Sequence, residues 1–477
     1  MEFTLGLPQG NFTIEQDRGW RTIATTTASR RHLRGCYGMG FAGYTWEENG
    51  PSLPARAGEQ SLEAHVRALC ELPFCDCLYI RCDWRQVQSR AGRLDFDPIW
   101  DLTLAAAEQY NLRVGFRVQL SSPNFQPEQL AMPDFLQDKI PFVEIGQSKR
   151  GVYREPRYDH PAFRAAFAEL NQLLAERLDG HPRLDFMDLM MYGFWGEGHT
   201  GAHPKPFDDF YTAERTFRDM TELQLAAWKK TRIAVNTQPD INEVGNDRLH
   251  RACLDAGTWL RSDSIYTEEP QQVGMMRNRP TPCALILEDG AKRAYRLDEP
   301  YLAADAQGPR MDRNMRLALD AGASYWSLWT EGNNIAKYYE QYPDAINEMS
   351  ARIGYRVRPA WVWQRKRYET DELVVAFAND GVAGVPGRLR VTVQDQAGNI
   401  LAGGTLDAGA PEPGRLQQAA FMLPTGCEGK TLYLKAEVLD LGQLHPVPWA
   451  CAEELEADGR FAVTLCGHEE KGWRYRV

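Results

Sequence analysis

The sequence predicts a TIM barrel, a closed (β/α)8 sheet of parallel strands in the α/β class, followed by a C-terminal β-sandwich. Across residues 31–360, short apolar runs alternate with longer amphipathic stretches, which is the rhythm of repeated βα units. The phosphate-binding pattern GxGxxG is absent after the first predicted strand, so a closed barrel is favoured over a doubly wound sheet. Residues 361–477 change to short alternating strands separated by turn residues, which is typical of a sandwich. Residues 1–30 are interpreted as an N-terminal extension.

Eight apolar runs have the length and composition of barrel strands. In chain order they are Gly35–Phe41, Leu78–Asp83, Arg113–Leu120, Phe186–Tyr192, Ile233–Gln238, Trp259–Ile265, Cys283–Glu288 and Ser324–Trp329. Between them, apolar residues recur every three or four positions, the spacing of a helix that buries one face. The helices predicted in this way are Ile99–Tyr110, Ala162–Leu178, Ala213–Lys229, Asp247–Ala256 and Met311–Ala321. They are expected to form the outer ring of the barrel.

Four further strands predict the sandwich. They are Glu372–Asn379, Arg388–Asp395, Gln417–Leu423 and Thr431–Asp440. The segment Arg356–Lys366 is rich in Arg, Pro and Trp and is the predicted junction, and its tryptophans indicate a packed interface rather than a free linker. We expect the sandwich to brace the barrel or to contribute to contacts in a homo-oligomer.

The composition excludes several classes of protein. A formal net charge of -11 argues against a nucleic-acid surface, which needs clustered Lys and Arg. No window reaches the roughly 18 apolar residues of a membrane span, and no secretory signal is visible, so we expect a cytoplasmic protein without a membrane partner. The ten cysteines lie mostly in apolar stretches and are expected to be reduced. Their spacing matches no zinc pattern, so we expect neither a metal nor another cofactor.

The active site of a TIM barrel lies at the carboxyl ends of its strands, so the residues after each apolar run carry the prediction of function. Hydrogen-bonding groups alternate there with aromatic residues, which suits a sugar because it offers hydroxyls at its edge and C–H groups on its face. The predicted substrate-binding residues are Tyr37, Arg81, Asp83, Arg117, Gln119, Tyr192, Trp195, His199, Asn236, Asp263, Tyr266, Trp326, Trp329, Glu331 and Asn333.

The strongest single motif is MMYGFWGEGHT at residues 190–200, in which an apolar strand ends and Glu197 stands between two glycines. A catalytic carboxylate is expected at such a place, and the alternative is a structural salt bridge to Arg81 or Arg117. His199 is expected to hydrogen-bond to substrate or to Glu197, because its surroundings lack the ligand spacing of a zinc site.

A second carboxylate is predicted at Glu288, which ends the apolar run CALILEDG and therefore faces the same end of the barrel. Two carboxyl groups are what glycoside hydrolysis needs, one protonated and the other ionised. Burial beside Trp195 and mutual repulsion are expected to raise the pKa of one of them and leave the other low. Glu331 is the rival for the second position, and the pair of Glu197 with Glu331 would favour an inverting mechanism.

The motifs WGEGHT, LILEDG, Tyr325–Trp329 and GYRVRPAW together resemble those of the retaining glycosidases of glycoside hydrolase clan A, over residues Arg34 to Arg358. The chain is also similar to uncharacterised bacterial barrel-plus-sandwich proteins near the beta-galactosidase-like branch. The resemblance implies a glycosidase that cleaves a short oligosaccharide or glycoside, with Glu197 as the acid/base after strand four and Glu288 as the nucleophile after strand seven.

One residue departs from the clan's pattern. Clan members usually have Asn before the acid/base Glu, where it hydrogen-bonds the sugar 2-hydroxyl, and here that position is Gly196. Asn236 or Asn333 is the candidate replacement, and the alternative is a substrate that lacks the usual hydroxyl arrangement. The departure motivates an alternative function, a catalytically inactive carbohydrate-binding or scaffold barrel. A metal-dependent or aldolase-like barrel is disfavoured, because no predicted strand ends in Lys and no ligand cluster is visible.

Overall fold

The computed structural model describes residues 6–7, 10–11, 20–46, 61–199, 206–237, 246–262, 270–288, 310–328, 339–340, 343–367, 370–406 and 414–467. In chain order its strands are β1 (Gly6–Leu7), β2 (Gly10–Asn11), β3 (Trp20–Thr25), β4 (Gly40–Trp46), β5 (Cys75–Asp83), β6 (Arg113–Gln119), β7 (Phe142–Ser148), β8 (Gly151–Pro156), β9 (Leu184–Asp188), β10 (Arg232–Asn236), β11 (Trp259–Ser262), β12 (Leu285–Glu288), β13 (Tyr325–Leu328), β14 (Val357–Arg367), β15 (Thr370–Asn379), β16 (Arg388–Gln394), β17 (Ile400–Leu406), β18 (Leu416–Met422), β19 (Thr431–Asp440), β20 (Gln443–Val447) and β21 (Phe461–Thr464). The helices are α1 (Leu62–Cys70), α2 (Pro98–Gln109), α3 (Asp134–Gln137), α4 (Pro161–Leu178), α5 (Phe210–Ala227), α6 (Asn246–Asp255), α7 (Pro270–Arg277), α8 (Arg310–Asp320) and α9 (Pro343–Ser350).

Eight parallel strands close into a barrel, which confirms the predicted fold class. Their order around the barrel is β4, β5, β6, β9, β10, β11, β12 and β13, and β13 pairs with β4 to complete the circle. Each of the five predicted helices is present, as α2, α4, α5, α6 and α8. The start of α2 shows why these segments become helical: Asp97 accepts a hydrogen bond from the Ile99 N–H at 2.9 Å, and Pro98 occupies the first turn.

The period of two along each strand decides which side chains enter the barrel. On β5, Leu78 and Ile80 pack outward in the core shared with the helices, whereas Tyr79 belongs to the inner core. Arg81 follows Tyr79 on the inner face and lies over the ring of Tyr44, at 5.4 Å from its centroid. Polar side chains at inward positions near the strand ends are therefore directed into the carboxyl end of the barrel.

The predicted sandwich is present as two antiparallel sheets. One has the order β18-β15-β14-β3, and the other has the order β17-β16-β19-β20 with β21 also paired to β19. Most of the predicted junction Arg356–Lys366 forms β14, which pairs with both β15 and β3. β3 comes from the predicted N-terminal extension. The sheet therefore contains strands from the sequence before the barrel as well as from the sequence after it.

The sandwich packs on the amino end of the barrel. Asp440, the last residue of β19, accepts hydrogen bonds from the Tyr37 hydroxyl at 2.7 Å and from Arg232 Nε at 2.8 Å. Arg232 is the first residue of β10, which fixes the end of the barrel concerned. The ring of His445 stacks on that of Tyr37, with centroids 3.7 Å apart. The end of the barrel opposite to the sandwich is the end where the strands finish.

The predicted position of the first strand is wrong. It spans Gly40–Trp46 rather than Gly35–Phe41, because Gly35 and Gly38 adopt left-handed backbone angles, with φ of +69° and +74°, and form turns before the strand begins. Tyr37 consequently precedes the strand and lies at its amino end. Within the helices that the structure describes, none has the length and apolarity to cross a membrane.

Candidate active site

Glu197 and Glu288 belong to the carboxyl end of the barrel, after its fourth and seventh strands. Glu288 is the last residue of β12, and Glu197 lies in the loop that follows β9. Their side chains are nearly inaccessible, with 4% of Glu197 and 3% of Glu288 exposed. Because an unpaired buried carboxylate costs several kcal/mol, each must have a cation or several hydrogen-bond donors beside it.

The loop that carries Glu197 is tied to the third barrel strand. Trp195 has a φ of +58°, an uncommon angle for a bulky residue, and Gly196 follows with a φ of +68°. The Trp195 N–H donates to the Ser121 carbonyl at 2.9 Å, and the Trp195 carbonyl accepts from Arg117 Nη1 at 3.1 Å. These two bonds hold the turn that directs Glu197 toward the barrel axis.

Among the described residues, polar side chains from three parts of the chain contact Glu197. Arg117 Nη1 donates to its Oε1, and His199 Nε2 lies 3.3 Å from its Oε2. The side-chain amide of Asn236 donates to the Glu197 carbonyl at 3.4 Å. The ion pair with Arg117 is the contact that the structural alternative for Glu197 predicted.

Glu288 is held by residues of the sixth and first barrel strands. Arg261 Nη2 and the Tyr44 hydroxyl both donate to Glu288 Oε2, the latter at 3.0 Å, and Arg261 Nη2 also donates to the Tyr44 hydroxyl at 3.1 Å. Arg261 is fully buried on β11. Glu288 thus has a cation and a phenol on one oxygen, an arrangement that stabilises its ionised form.

A third carboxylate, Asp188, links the two glutamates. Its Oδ2 accepts from Arg117 at 3.1 Å to Nε and 2.8 Å to Nη2, and it lies 3.2 Å from Arg261 Nη1. The order along this charge chain is Glu197, Arg117, Asp188, Arg261, Glu288. Alternation of sign allows five charges to share a buried space, because each anion has a cation as its neighbour.

The pKa of Glu197 follows from two opposed effects. Burial would raise it, but the Arg117 guanidinium, the hydrogen bond from His199 and the charge of Arg81 outweigh burial and hold the pKa of Glu197 well below its usual range. Burial beside Trp195 was expected to produce the raised pKa of an acid. The pKa of Glu197 is shifted in the opposite direction, because the Arg117 guanidinium contacts the carboxylate.

A second layer supports the loop from behind. Glu155, on the hairpin β7–β8, accepts hydrogen bonds from the hydroxyls of Ser121 and Tyr158, and the Tyr158 hydroxyl in turn accepts from the Gly193 N–H at 3.1 Å. Burial without a cation raises the pKa of Glu155 to about 7, although these hydrogen bonds oppose the rise. Glu155 therefore helps to fix both ends of the turn that presents Glu197.

Several of the other predicted site residues lie near this cluster. On adjacent strands, Arg81 is in register with Arg117 and Asp83 is in register with Gln119, at the carboxyl ends of β5 and β6. All four are buried. Trp195 is only half-buried, and its ring stands perpendicular to that of His199 at 5.4 Å. Trp195 and His199 thus give the charge network an aromatic face that is accessible to solvent.

Three predicted residues lie elsewhere. Tyr37 lies at the amino end of the barrel, as described above. Trp326 belongs to the outer core against the helices, because the neighbouring Tyr325 takes the inward position on β13. Tyr192 packs among rings outside the barrel, including Phe207 at 4.8 Å. The predicted residues Asp263, Tyr266, Trp329, Glu331 and Asn333 fall outside the described residues.

Sequence reasoning missed Asp188 and Arg261. Both lie inside predicted strands, Phe186–Tyr192 and Trp259–Ile265, and the first of these extends past the observed end of β9 at Asp188. A charged residue two positions after an inward aromatic residue was the available signal. In the part of the chain that the structure describes, no group of three or more His, Cys, Asp or Glu side chains is arranged to hold a metal ion.

Comparisons with known proteins give similarity only at the level of structure. No protein-family model matches the sequence, and no curated protein matches it. An endo-glycoceramidase II from Rhodococcus sp. is similar at 13% identity, over 83% of this chain and all of that chain, with a TM-score of 0.37. An endoglucanase from Pseudomonas stutzeri shares 13% identity over 64% and 86% of the two chains, with a TM-score of 0.36. A beta-galactosidase from the haloarchaeon Halorubrum lacusprofundi shares 12% over 63% and 57%, also with a TM-score of 0.36.

Proposed function

We propose that this chain is a retaining glycoside hydrolase that cleaves a short oligosaccharide or glycoside with Glu197 and Glu288. The observation that supports it is the placement of these two buried carboxylates after the fourth and seventh strands of a closed barrel, on either side of a shared charge network. Buried ionisable groups that depend on one another at strand ends are costly to the fold and are common at catalytic sites.

In the first step of the proposed reaction, Glu288 attacks the anomeric carbon while the bond to the leaving oxygen breaks. Arg261 and Tyr44 keep Glu288 ionised for this attack. Glu197 gives a proton to the leaving oxygen. In the second step Glu197 removes a proton from water, the water oxygen bonds to the anomeric carbon, and Glu288 is released.

The proton on Glu197 needs a source, because Arg117 favours its ionised form. In this proposal Glu197 exchanges its proton with His199 through their 3.3 Å contact at Oε2, while Arg117 stays on Oε1. The half-buried Trp195 supplies a face on which the C–H side of the sugar ring stacks.

The same ion pair favours a second candidate function, a carbohydrate-binding barrel without turnover. A carboxylate whose ionised form is stabilised by Arg117 is a poor proton donor to a leaving group, whereas it can accept hydrogen bonds from sugar hydroxyls. Both candidate functions involve binding of a carbohydrate, and only the first involves its hydrolysis.

The test is hydrolysis of a panel of aryl glycosides by the wild type, E197Q and E288Q. The matched control is E372Q, because Glu372 is a buried carboxylate of the sandwich paired with Arg365 at 2.6 Å. We expect E288Q to lose turnover but keep affinity for the glycoside. We expect E197Q to lose about 10² to 10⁴ in rate, with less loss for better leaving groups, and E372Q to keep its rate.

The anomeric form of the first product, followed by proton NMR, tests retention. Wild type that binds sugars without hydrolysing them would establish the binding barrel instead. If E288Q keeps turnover while E197Q loses it, the second carboxylate is Glu331, and inversion of the anomeric centre is then expected.

A further inference from the structure

Asp188 occupies a position that no motif indicated. It is the last residue of the fourth barrel strand, 2% exposed, and its Oδ2 is the atom at which the contacts of Arg117 and Arg261 meet. The hydroxyl of Tyr79 also donates to Oδ2. One carboxylate oxygen is therefore the common partner of two guanidiniums, which come from the third and sixth strands of the barrel.

Each of these guanidiniums uses its other end to hold a glutamate. Arg117 bonds to Asp188 through Nε and Nη2 and to Glu197 through Nη1. Arg261 faces Asp188 with Nη1 and bonds to Glu288 with Nη2. Because a guanidinium is planar and rigid, fixing one edge fixes the direction of the other. The orientation of both glutamates thus depends on Asp188.

We propose that Asp188 is a positioning residue, which fixes both guanidiniums and through them sets the orientation and the charge of both glutamates together. This inference rests on the proposed glycosidase, and it assigns to Asp188 no contact with the substrate. Its consequence is that the two glutamates respond to Asp188 as one unit, although they lie on opposite sides of the network.

The electrostatic effect of Asp188 has a definite sign. Tyr79, Arg117 and Arg261 contact Asp188 directly. The network continues from them, over five strands and one loop, to the charged and titratable side chains of Tyr44, Arg81, Glu288, Glu197 and His199. Removing its negative charge leaves the two guanidiniums to the glutamates alone, so the pKa of each glutamate falls. The direction follows because a negative charge one guanidinium away disfavours ionisation of a carboxyl, and its removal has the opposite effect.

The same strand provides a matched control. Asp185 lies three residues before Asp188 and is equally buried, with bonds from Arg113 Nε at 2.6 Å, from the Tyr325 hydroxyl at 2.5 Å and from the Gly38 N–H at 2.9 Å. It belongs to the amino end of the barrel, away from both glutamates. Replacement of either aspartate by Asn therefore removes one buried charge from an Asp–Arg–Tyr network, and only one of these networks reaches the site.

The experiment compares D188N and D185N with the wild type in the pH dependence of kcat and kcat/KM on an aryl glycoside. We expect both variants to unfold at lower temperature than the wild type. Only D188N is expected to move the pH optimum toward acid. Its kcat is expected to fall by about tenfold to hundredfold through misplacement of the glutamates, with KM within about threefold. A D188N profile with the wild-type optimum, or an equal displacement in D185N, overturns the inference.

A separate readout covers failure of the proposed function. If the wild type hydrolyses no glycoside, the affinity for the basic iminosugar deoxynojirimycin is measured by calorimetry across the same pH range, because its cation binds to ionised carboxylates. A shift of the pH dependence in D188N but not in D185N supports the role of Asp188 in a site without turnover. An unchanged pH dependence in D188N, or no binding to the wild type, overturns it.

Discussion

Replacement of Arg117 by Gln tests the charge network most directly. Arg117 is fully buried and is bonded to both Glu197 and Asp188. Without it, Asp188 and Glu288 share Arg261, and Glu197 is left with the contact to His199 and the more distant charge of Arg81. Removal of one partner from a buried ion pair costs about 3 to 5 kcal/mol, because the remaining charge stays desolvated.

The size of the effect can be expressed as a melting temperature. An unfolding entropy of about 2.1 cal/mol/K per residue, applied to 477 residues as one cooperative unit, gives about 1.0 kcal/mol per degree. A loss of about 3 to 5 kcal/mol therefore lowers the melting temperature of R117Q by roughly 3 to 5 °C at pH 7.

The pH dependence separates this electrostatic effect from a simple packing defect. In the wild type the folded pKa of Glu197 is held well below 4.5, so its contribution to stability is complete above about pH 4.5 and is lost as the pH falls through the folded pKa. In R117Q burial dominates and the pKa of Glu197 rises, so the variant loses stability as the pH increases. The difference in melting temperature should thus be widest at pH 7 and narrow below about pH 4.5.

Thermal unfolding followed by circular dichroism at pH 7, 5.5 and 4 measures this difference. The control is R150Q, because Arg150 forms an exposed ion pair with Glu128 at 2.9 Å and its removal should cost less than about 1 kcal/mol. A constant difference between R117Q and the wild type across this pH range would refute the reasoning, and so would an R117Q as stable as the wild type at pH 7.

Three further predictions follow from the second layer, the interface and the loop. Burial raises the pKa of Glu155 to about 7, above its value in the unfolded chain. The contribution of Glu155 to the free energy of unfolding is therefore full below about pH 4.5 and declines up to about pH 7. E155Q should remove this decline, which is worth up to about 3 kcal/mol. Melting curves of both proteins from pH 4 to 8 should diverge, and parallel curves would contradict the assignment. D440N should lower the free energy of unfolding, measured in urea, by about 2 to 4 kcal/mol, because Arg232 loses its buried carboxylate at the sandwich interface. Glycosidase activity should stay unchanged, and a variant with lost activity and intact stability would contradict this. At Gly196, with a φ of +68°, an added Cβ would come no closer than 3.5 Å to Arg117, so G196N should fold with a loss of about 1 kcal/mol or less, and its rate should rise more for glycosides with a 2-hydroxyl than for 2-deoxy analogues. Equal rate changes for both substrates would show that the residue at position 196 does not recognise the 2-hydroxyl.

The barrel was predictable because alternation of apolar strands and amphipathic helices is a property of composition and spacing. Strand boundaries were less predictable, since the residues that continue a strand and those that follow it are both apolar. After Asp188 the chain reads Leu189–Tyr192, an apolar run that looks like more strand but is loop packed in the core. The error of four residues concealed Asp188 as a strand end and so removed the centre of the network from view.

The sandwich shows a different limit. β14 contains Pro359 and several Arg and Lys residues, which disfavour a central strand. The sheet accommodates Pro359 at an irregularity in the pairing with β15, between Pro359 and Trp361, where a ladder hydrogen bond is not required. Pairing with β3, a segment more than 300 residues away in sequence, is a long-range contact that no local pattern specifies.

The fourth barrel strand also shows why burial of charge does not by itself identify an active site. Asp185 and Asp188 each combine with arginine and tyrosine in the interior, at opposite ends of one strand. Around Asp185 the network closes on itself under the sandwich, where the neighbouring Tyr37 is covered by His445. Around Asp188 it continues outward through two arginines to two glutamates, and one of those glutamates touches His199, whose side chain is 24% exposed. A closed network only stabilises the fold, whereas an open one can exchange protons with a ligand, and this difference is what makes the carboxyl end of the barrel the candidate site.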